Sequence, residues 1–381
     1  MREQLLKERL TELAELRKVG RKVIGYSSHF VPVELIRSVG AIPVRLLRGG
    51  YDAETAGLSF LRPDACPHCL ATLGNFSLSQ AGFYGLVDAF ASVNTCDLAR
   101  RLPESVRVHF DLPTFELYLP RNSEPFPHRL SEFSRQLEQM GRDMASFCGT
   151  DFDQAALATA IRAEEALRAA LRRLAGSGLA ESQVLDLVTL ATVLEPERFT
   201  LYASRFTPDS PSPFPPPQGG GNERERVTRS TAPTAKAGRP RLMLLGSELA
   251  EEDRWIVNAI EEQADIVADL LSEGRAWFAD SFPDTGNPLA DLASFYFFRQ
   301  PAVFRRPNDY TYERIRELIR LNHVQGVILK TLLYCDPWKL EEVRLRKETG
   351  LPLLHIESNY APENRGQIRT RLEAFLESLE A

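Results

Sequence analysis

The chain has 381 residues, 43% hydrophobic and 26% charged, which is too long for one ordinary hydrophobic core and excludes disordered or collagen-like sequence. Its formal charge of −6 argues against a nucleic-acid or anionic-membrane partner, and no run reaches the roughly 18 apolar residues of a membrane helix. Five scattered cysteines make no disulfide scaffold, and with no signal-like apolar core near Met1 they predict a cytoplasmic protein with reduced thiols.

Leu5, Leu6, Leu10, Leu13 and Leu16 recur at helical spacing between charges, so residues 1–20 read as an amphipathic arm. From Lys22 the period changes. Lys22–Tyr26 reads as a buried strand, Pro32–Arg37 as a helix with proline near its start, and Ala41–Leu47 as a second strand. A helix begins at Cys66-Pro67, and Gly85–Val93 reads as a third strand running into Asn94-Thr-Cys-Asp. Strands alternating with helices predict βαβ units and a parallel sheet over residues 21–150. Residues 151–195, rich in Ala, Leu, Arg and Glu, read as wholly helical, within a helical connecting region over 151–206.

Residues 207–240 contain Pro211-Ser-Pro-Phe-Pro-Pro-Pro-Gln-Gly-Gly-Gly and then a polar basic stretch, without apolar period. Such a segment cannot bury enough surface to repay its ordering entropy, so it reads as a disordered linker or insertion. Residues 241–381 repeat the α/β pattern. Strands are expected at Arg241–Gly246, Asp265–Leu271, Gly326–Leu332 and Leu351–Glu357, with helices at Pro337–Thr349 and Gly366–Leu379. Ser247 reads as the N-cap of an acidic helix start, Glu248–Asp253. The expected architecture is α/β: two doubly wound, Rossmann-like parallel-sheet domains with an N-terminal helical arm and a helical connection.

Three cysteines share a context. Cys96 and Cys335 follow strands and precede helix starts, and Cys66 precedes Pro67 at a first helical position. Ligands gather at the carboxyl ends of strands in open α/β sheets, where helix N-termini favour thiolates and anionic clusters. A buried cysteine is also simply a small hydrophobe. Cys66 and Cys69 form a C-x-x-C, which fits a redox dithiol or half a zinc site.

Five stretches carry a resemblance. Gly25-Tyr-Ser-Ser-His-Phe-Val-Pro-Val-Glu-Leu-Ile with Gly40–Leu46, Cys66-Pro-His-Cys-Leu-Ala-Thr-Leu-Gly, Asn94-Thr-Cys-Asp, Tyr334-Cys-Asp-Pro, and Glu357-Ser-Asn-Tyr with Gly366–Glu377 occur in order through both α/β halves. Together they resemble the D-component family of activator-dependent 2-hydroxyacyl-CoA dehydratases, which includes benzoyl-CoA reductase subunits. Asn359, where that family commonly has aspartate, and Leu98-Ala-Arg, in place of its glycine-lysine run, are departures.

The resemblance implies a 4Fe–4S cluster held by Cys66, Cys96 and Cys335, with one iron left open. It also implies an oxygen-sensitive lyase that eliminates water from a 2-hydroxyacyl-CoA thioester. One low-potential electron makes the thioester carbonyl a ketyl radical anion, which expels hydroxide and acidifies the β-proton. The implied partners are an acyl-CoA substrate, a homologous second subunit or a second copy, and an ATP-hydrolysing iron–sulfur activator. The alternatives are a benzoyl-CoA reductase-type subunit and a non-catalytic electron-relay subunit.

Ser27, Ser28 and His29 follow the first strand and are candidates to touch the open iron or the thioester, against a reading as a solvated loop cap. His68 reads as a ligand, a donor to the cluster or an exposed side chain. Cys69 reads as a neighbour, Cys148 as structural and His355 as a satisfied core histidine. Glu34 and Arg45 belong to matched motifs and read as structural or catalytic.

Overall fold

The computed structural model describes residues 2–78, 82–205 and 238–380. Among these residues eight strands form two four-stranded sheets, both wholly parallel. The first holds β1 (Val23–Tyr26), β2 (Ile42–Arg45), β3 (Ala89–Val93) and β4 (Thr114–Leu117) in the order β2-β1-β3-β4. The second holds β5 (Arg241–Gly246), β6 (Asp265–Asp269), β7 (Gly326–Leu332) and β8 (Leu353–Ser358) in the order β6-β5-β7-β8. The expected two parallel α/β halves are therefore present.

The central strands β1, β3, β5 and β7 are buried almost throughout because both faces of their sheets are covered, as parallel sheets require. Successive residues feed opposite cores. Val23, Ile42, Val44 and Phe90 enter one core of the first sheet, while Ile24, Tyr26, Ala89 and Ala91 enter the other. In the second sheet Leu242, Leu244 and Ile328 point to one face, and Met243, Leu245, Val327 and Leu329 to the other.

Several local expectations are corrected. Phe83–Leu86 is a 3-10 turn, so β3 begins only at Ala89. Ser247 does not cap a helix: its hydroxyl accepts from the Leu332 N–H at the end of β7, and the helix starts at Arg254 after a 3-10 turn, Glu251–Asp253. Residues 151–195 break at Gly176–Ala180, between helices Gln154–Ala175 and Glu181–Ala191. The expected helix 337–349 is two, Asp336–Lys339 and Glu342–Thr349. The stretch expected as a linker lies outside the described residues up to Ala237, and Gly238–Pro240 lead into β5.

The halves interlock. The helix Pro288–Phe298, between β6 and β7 in sequence, places Leu292, Phe295 and Phe297 in the core of the first sheet beside Phe133 and Leu137. There Arg168, fully buried, pairs with Glu34 at 3.0 Å and lies 4.8 Å from the Phe282 and Phe295 rings. Glu34 also accepts from the Tyr296 hydroxyl at 2.8 Å. At the carboxyl end of β2, Arg45 reaches across to the second half. It donates to the Ser272 carbonyl at 2.8 Å and pairs with Glu273 at 3.4 Å, with both charged side chains buried. Glu34 and Arg45 thus have structural partners.

Candidate functional site

In each sheet the chain leaves the central pair of strands in opposite directions, β1 and β3 in the first and β5 and β7 in the second. The carboxyl ends at such a reversal form a crevice. Here the two crevices meet on one cavity of about 120 Å³. Ser27–His29 enter it from the end of β1, Thr95 and Cys96 from β3, Ser247 and Glu248 from β5, and Cys335 from beyond β7.

Each cysteine of the expected set is the N-cap of a helix. Cys66 precedes Pro67–Ser77, Cys96 precedes Asp97–Phe110, and Cys335 precedes Asp336–Lys339. The first helix is seated by close backbone packing: a Cβ on Gly74 would lie 1.8 Å from the Ala53 carbonyl oxygen, so the motif needs glycine there. Cys96 Sγ accepts from the Ala99 N–H at 3.3 Å. Cys66 and Cys335, one from each half, pack on the same apolar cluster, Ala53, Ala71, Ala250, Leu332 and Tyr360.

The cysteines differ electrostatically. The Cys66 thiol is drawn below its ordinary range, first by the hydrogen bond from Cys69, which keeps its own proton well above the usual range. Burial pushes Cys96 up to about 11 and Cys335 higher still, and a charge on Cys66 would raise both. The cavity therefore favours neutral thiols at Cys96 and Cys335 until a cation arrives, and metal binding would release those protons.

Ser27, Ser28 and His29 are buried, which removes their reading as a solvated cap. Ser28 Oγ accepts from the Phe30 N–H at 3.3 Å. His29 and His68, 8% and 7% exposed, both line the cavity, and neither ring nitrogen of either residue has a hydrogen-bond partner. Burial holds His29 well below the usual imidazole range and His68 down to about 4, with Arg45 adding to both. Both rings are neutral at pH 7. His68 is not exposed, contrary to one of its readings. Four buried nitrogens without partners on one cavity call for a ligand that can satisfy them.

Glu248 escaped the sequence reading, which took it for a helix-start acid. Among the described residues it is the only carboxyl lining the cavity, pushed up to about 8 by burial first and then by Glu273, against the pull of Arg45. Its signal was positional, since it follows β5 as the Ser27–His29 turn follows β1. The apolar wall from Pro301 to Phe304 carried no local signal. Of the remaining candidates, Cys69 lines the cavity as a neighbour of Cys66, and Cys148 sits partly buried at a distant helix end. His355 is satisfied, by Thr331 at 2.8 Å and Glu342 at 2.7 Å, but only partly buried.

Among the described residues, no three His, Cys, Asp or Glu side chains close around a single metal ion. A cluster offers a separate iron to each thiolate and so needs its sulfurs spread around a larger body. Three soft thiol donors from three chain segments on one enclosed space fit that group better than an oxygen-seeking ion. Among the described residues no helix is long and apolar enough to cross a membrane.

The family model described as 2-hydroxyglutaryl-CoA dehydratase, D-component, matches residues 28–379. The chain is 22% identical to the (R)-2-hydroxyglutaryl-CoA dehydratase subunit beta of Acidaminococcus fermentans, across 97% of this chain and 95% of that one. It is 20% identical to the (R)-phenyllactyl-CoA dehydratase beta subunit of Clostridium sporogenes, across 96% and 94%.

Proposed function

Because the chain belongs to the 2-hydroxyglutaryl-CoA dehydratase D-component family, we propose that it is the iron–sulfur subunit of a 2-hydroxyacyl-CoA dehydratase. The observation that carries this reading is that Cys66, Cys96 and Cys335, from three distant segments, line one cavity with the Ser27–His29 turn. In it the three thiolates hold a 4Fe–4S cluster. When bound, that cluster would supply the single low-potential electron that lets a thioester carbonyl become a ketyl radical anion and expel the adjacent hydroxide, and would take the electron back once the β-proton has left.

The chain's own residues do the rest. Neutral His29 donates a hydrogen bond to the thioester oxygen, and the Ser27 and Ser28 hydroxyls hold the departing hydroxyl group. Each such bond contributes on the order of 1 kcal/mol if neutral and more as charge develops on oxygen. The buried setting keeps bulk water from the reacting carbon. A second, homologous subunit or a second copy completes the enzyme, and an ATP-hydrolysing iron–sulfur activator delivers the electron. The names of both relatives favour dehydration over the reductase and electron-relay readings.

The test is anaerobic iron and sulfide analysis of cysteine variants. Cys96→Ala and Cys335→Ala should lose most of the iron, while Cys148→Ala, away from the cavity, should keep it. Full iron in Cys335→Ala would sink the assignment.

A further inference from the structure

The lining of the cavity also bears on which acyl group can enter. Its wall is dominated by apolar side chains, among them Phe30, Leu102, Leu270, Phe304, Leu332 and Trp338. No lysine or arginine is among the described residues that line it. Two buried cations adjoin this wall, and both are engaged. Arg45 turns its Nη atoms to Ser272 and Glu273, and Lys330 binds Asp253 at 2.7 Å and the Glu248 carbonyl at 2.8 Å. The one carboxyl among the described residues that line it belongs to Glu248, which burial keeps largely protonated at neutral pH.

We propose that the cavity takes 2-hydroxyacyl groups with a neutral, apolar side chain, aliphatic or aromatic, and excludes those ending in a carboxylate, because its lining offers no cation to receive one. This rests on the acyl-CoA reading above. A carboxylate carried into the cavity would lose its hydration and find no free cation to replace it. An apolar side chain meets none of these penalties and gains the contact area of the aromatic and leucine wall. The polar end of the substrate is served separately by the unpartnered His29 and His68 nitrogens.

Competition binding to the anaerobically purified full-length chain tests this, with phenyllactyl-CoA and 2-hydroxyglutaryl-CoA as probes and CoA itself as the baseline. Phenyllactyl-CoA should bind on the order of a hundredfold more tightly than 2-hydroxyglutaryl-CoA. Equal or tighter binding of 2-hydroxyglutaryl-CoA overturns the substrate class. If neither thioester outcompetes CoA, the acyl-CoA reading itself fails, a result distinct from the first.

Discussion

The two sheets share one strand order but bring different chemistry to the cavity between them. The first contributes neutral groups: two of the three cysteines, two serines and two imidazoles that burial keeps uncharged. The second contributes one cysteine, a carboxyl and, behind it, a lysine buried in the central strand β7. In the first half the buried ion pair, Arg168–Glu34, binds Tyr296 of the helix carried over from the second half, whereas in the second half Lys330 holds both Asp253 and the carbonyl of the cavity residue Glu248. Topology sets where a crevice falls. The residues that follow each strand decide whether it receives donors or charge.

The largest expected effect is on the charged side. Lys330 Nζ is fully buried and holds both Asp253 and the Glu248 carbonyl. Lys330→Met should destabilise the chain by about 3–5 kcal/mol, because it leaves Asp253 as a buried, uncompensated carboxylate. Adding Asp253→Leu should recover most of the loss in urea unfolding. No recovery would mean that the pair does not act as a unit.

Equivalent glycines give a smaller and more direct comparison. Gly246 ends β5 with φ +146°, and a Cβ there would lie 1.7 Å from the Lys330 carbonyl oxygen. Gly25 lies in β1, where a Cβ would meet only the Leu46 and Val87 side-chain tips at 2.7 and 2.8 Å. Backbone cannot yield as side chains do. Gly246→Ala should therefore cost about 3 kcal/mol or more, and Gly25→Ala about 1–2 kcal/mol. Equal losses of thermal stability would contradict the stated geometry.

The smallest effect concerns the neutral side. His29 is held uncharged in the fold, so below about pH 6.5 the unfolded chain takes up a proton that the folded chain refuses. Stability is then fully present above that pH and falls as pH drops, by up to about 1.4 kcal/mol per pH unit. His29→Phe should flatten this slope between about pH 6.5 and 5.5, read from urea midpoints. An unchanged slope would mean that the imidazole takes up its proton in the folded state.

Much of this was legible. Runs such as Lys22–Tyr26 and Gly326–Leu332 have no polar face because both faces are covered, and that continuity marks parallel strands. β4 was missed because Thr114-Phe-Glu-Leu is a four-residue edge strand with alternating burial, too short to show a period. The strand-end setting of Cys66, Cys96 and Cys335 was readable, but that they share a cavity depends on how the halves dock. Nothing local encodes this across 239 residues between Cys96 and Cys335. Ser247 and Glu248 were misplaced for a related reason. A serine before acidic residues is a good cap, yet here its hydroxyl serves the neighbouring strand and leaves the acid to face inward.

The Arg45 clasp has a consequence for traffic. It joins the end of β2 to the loop after β6 through buried bonds to Ser272 and Glu273. A hinge motion that parted the halves would strand a guanidinium or a carboxylate in an apolar interior, costing on the order of 3 kcal/mol. That keeps a wide-open form below about one molecule in a hundred. The remaining way between cavity and solvent is over the rim, where Thr95, Cys96, Cys335 and Trp338 are only half-buried. The cost of parting the halves makes side-chain movement at that rim the cheaper way in.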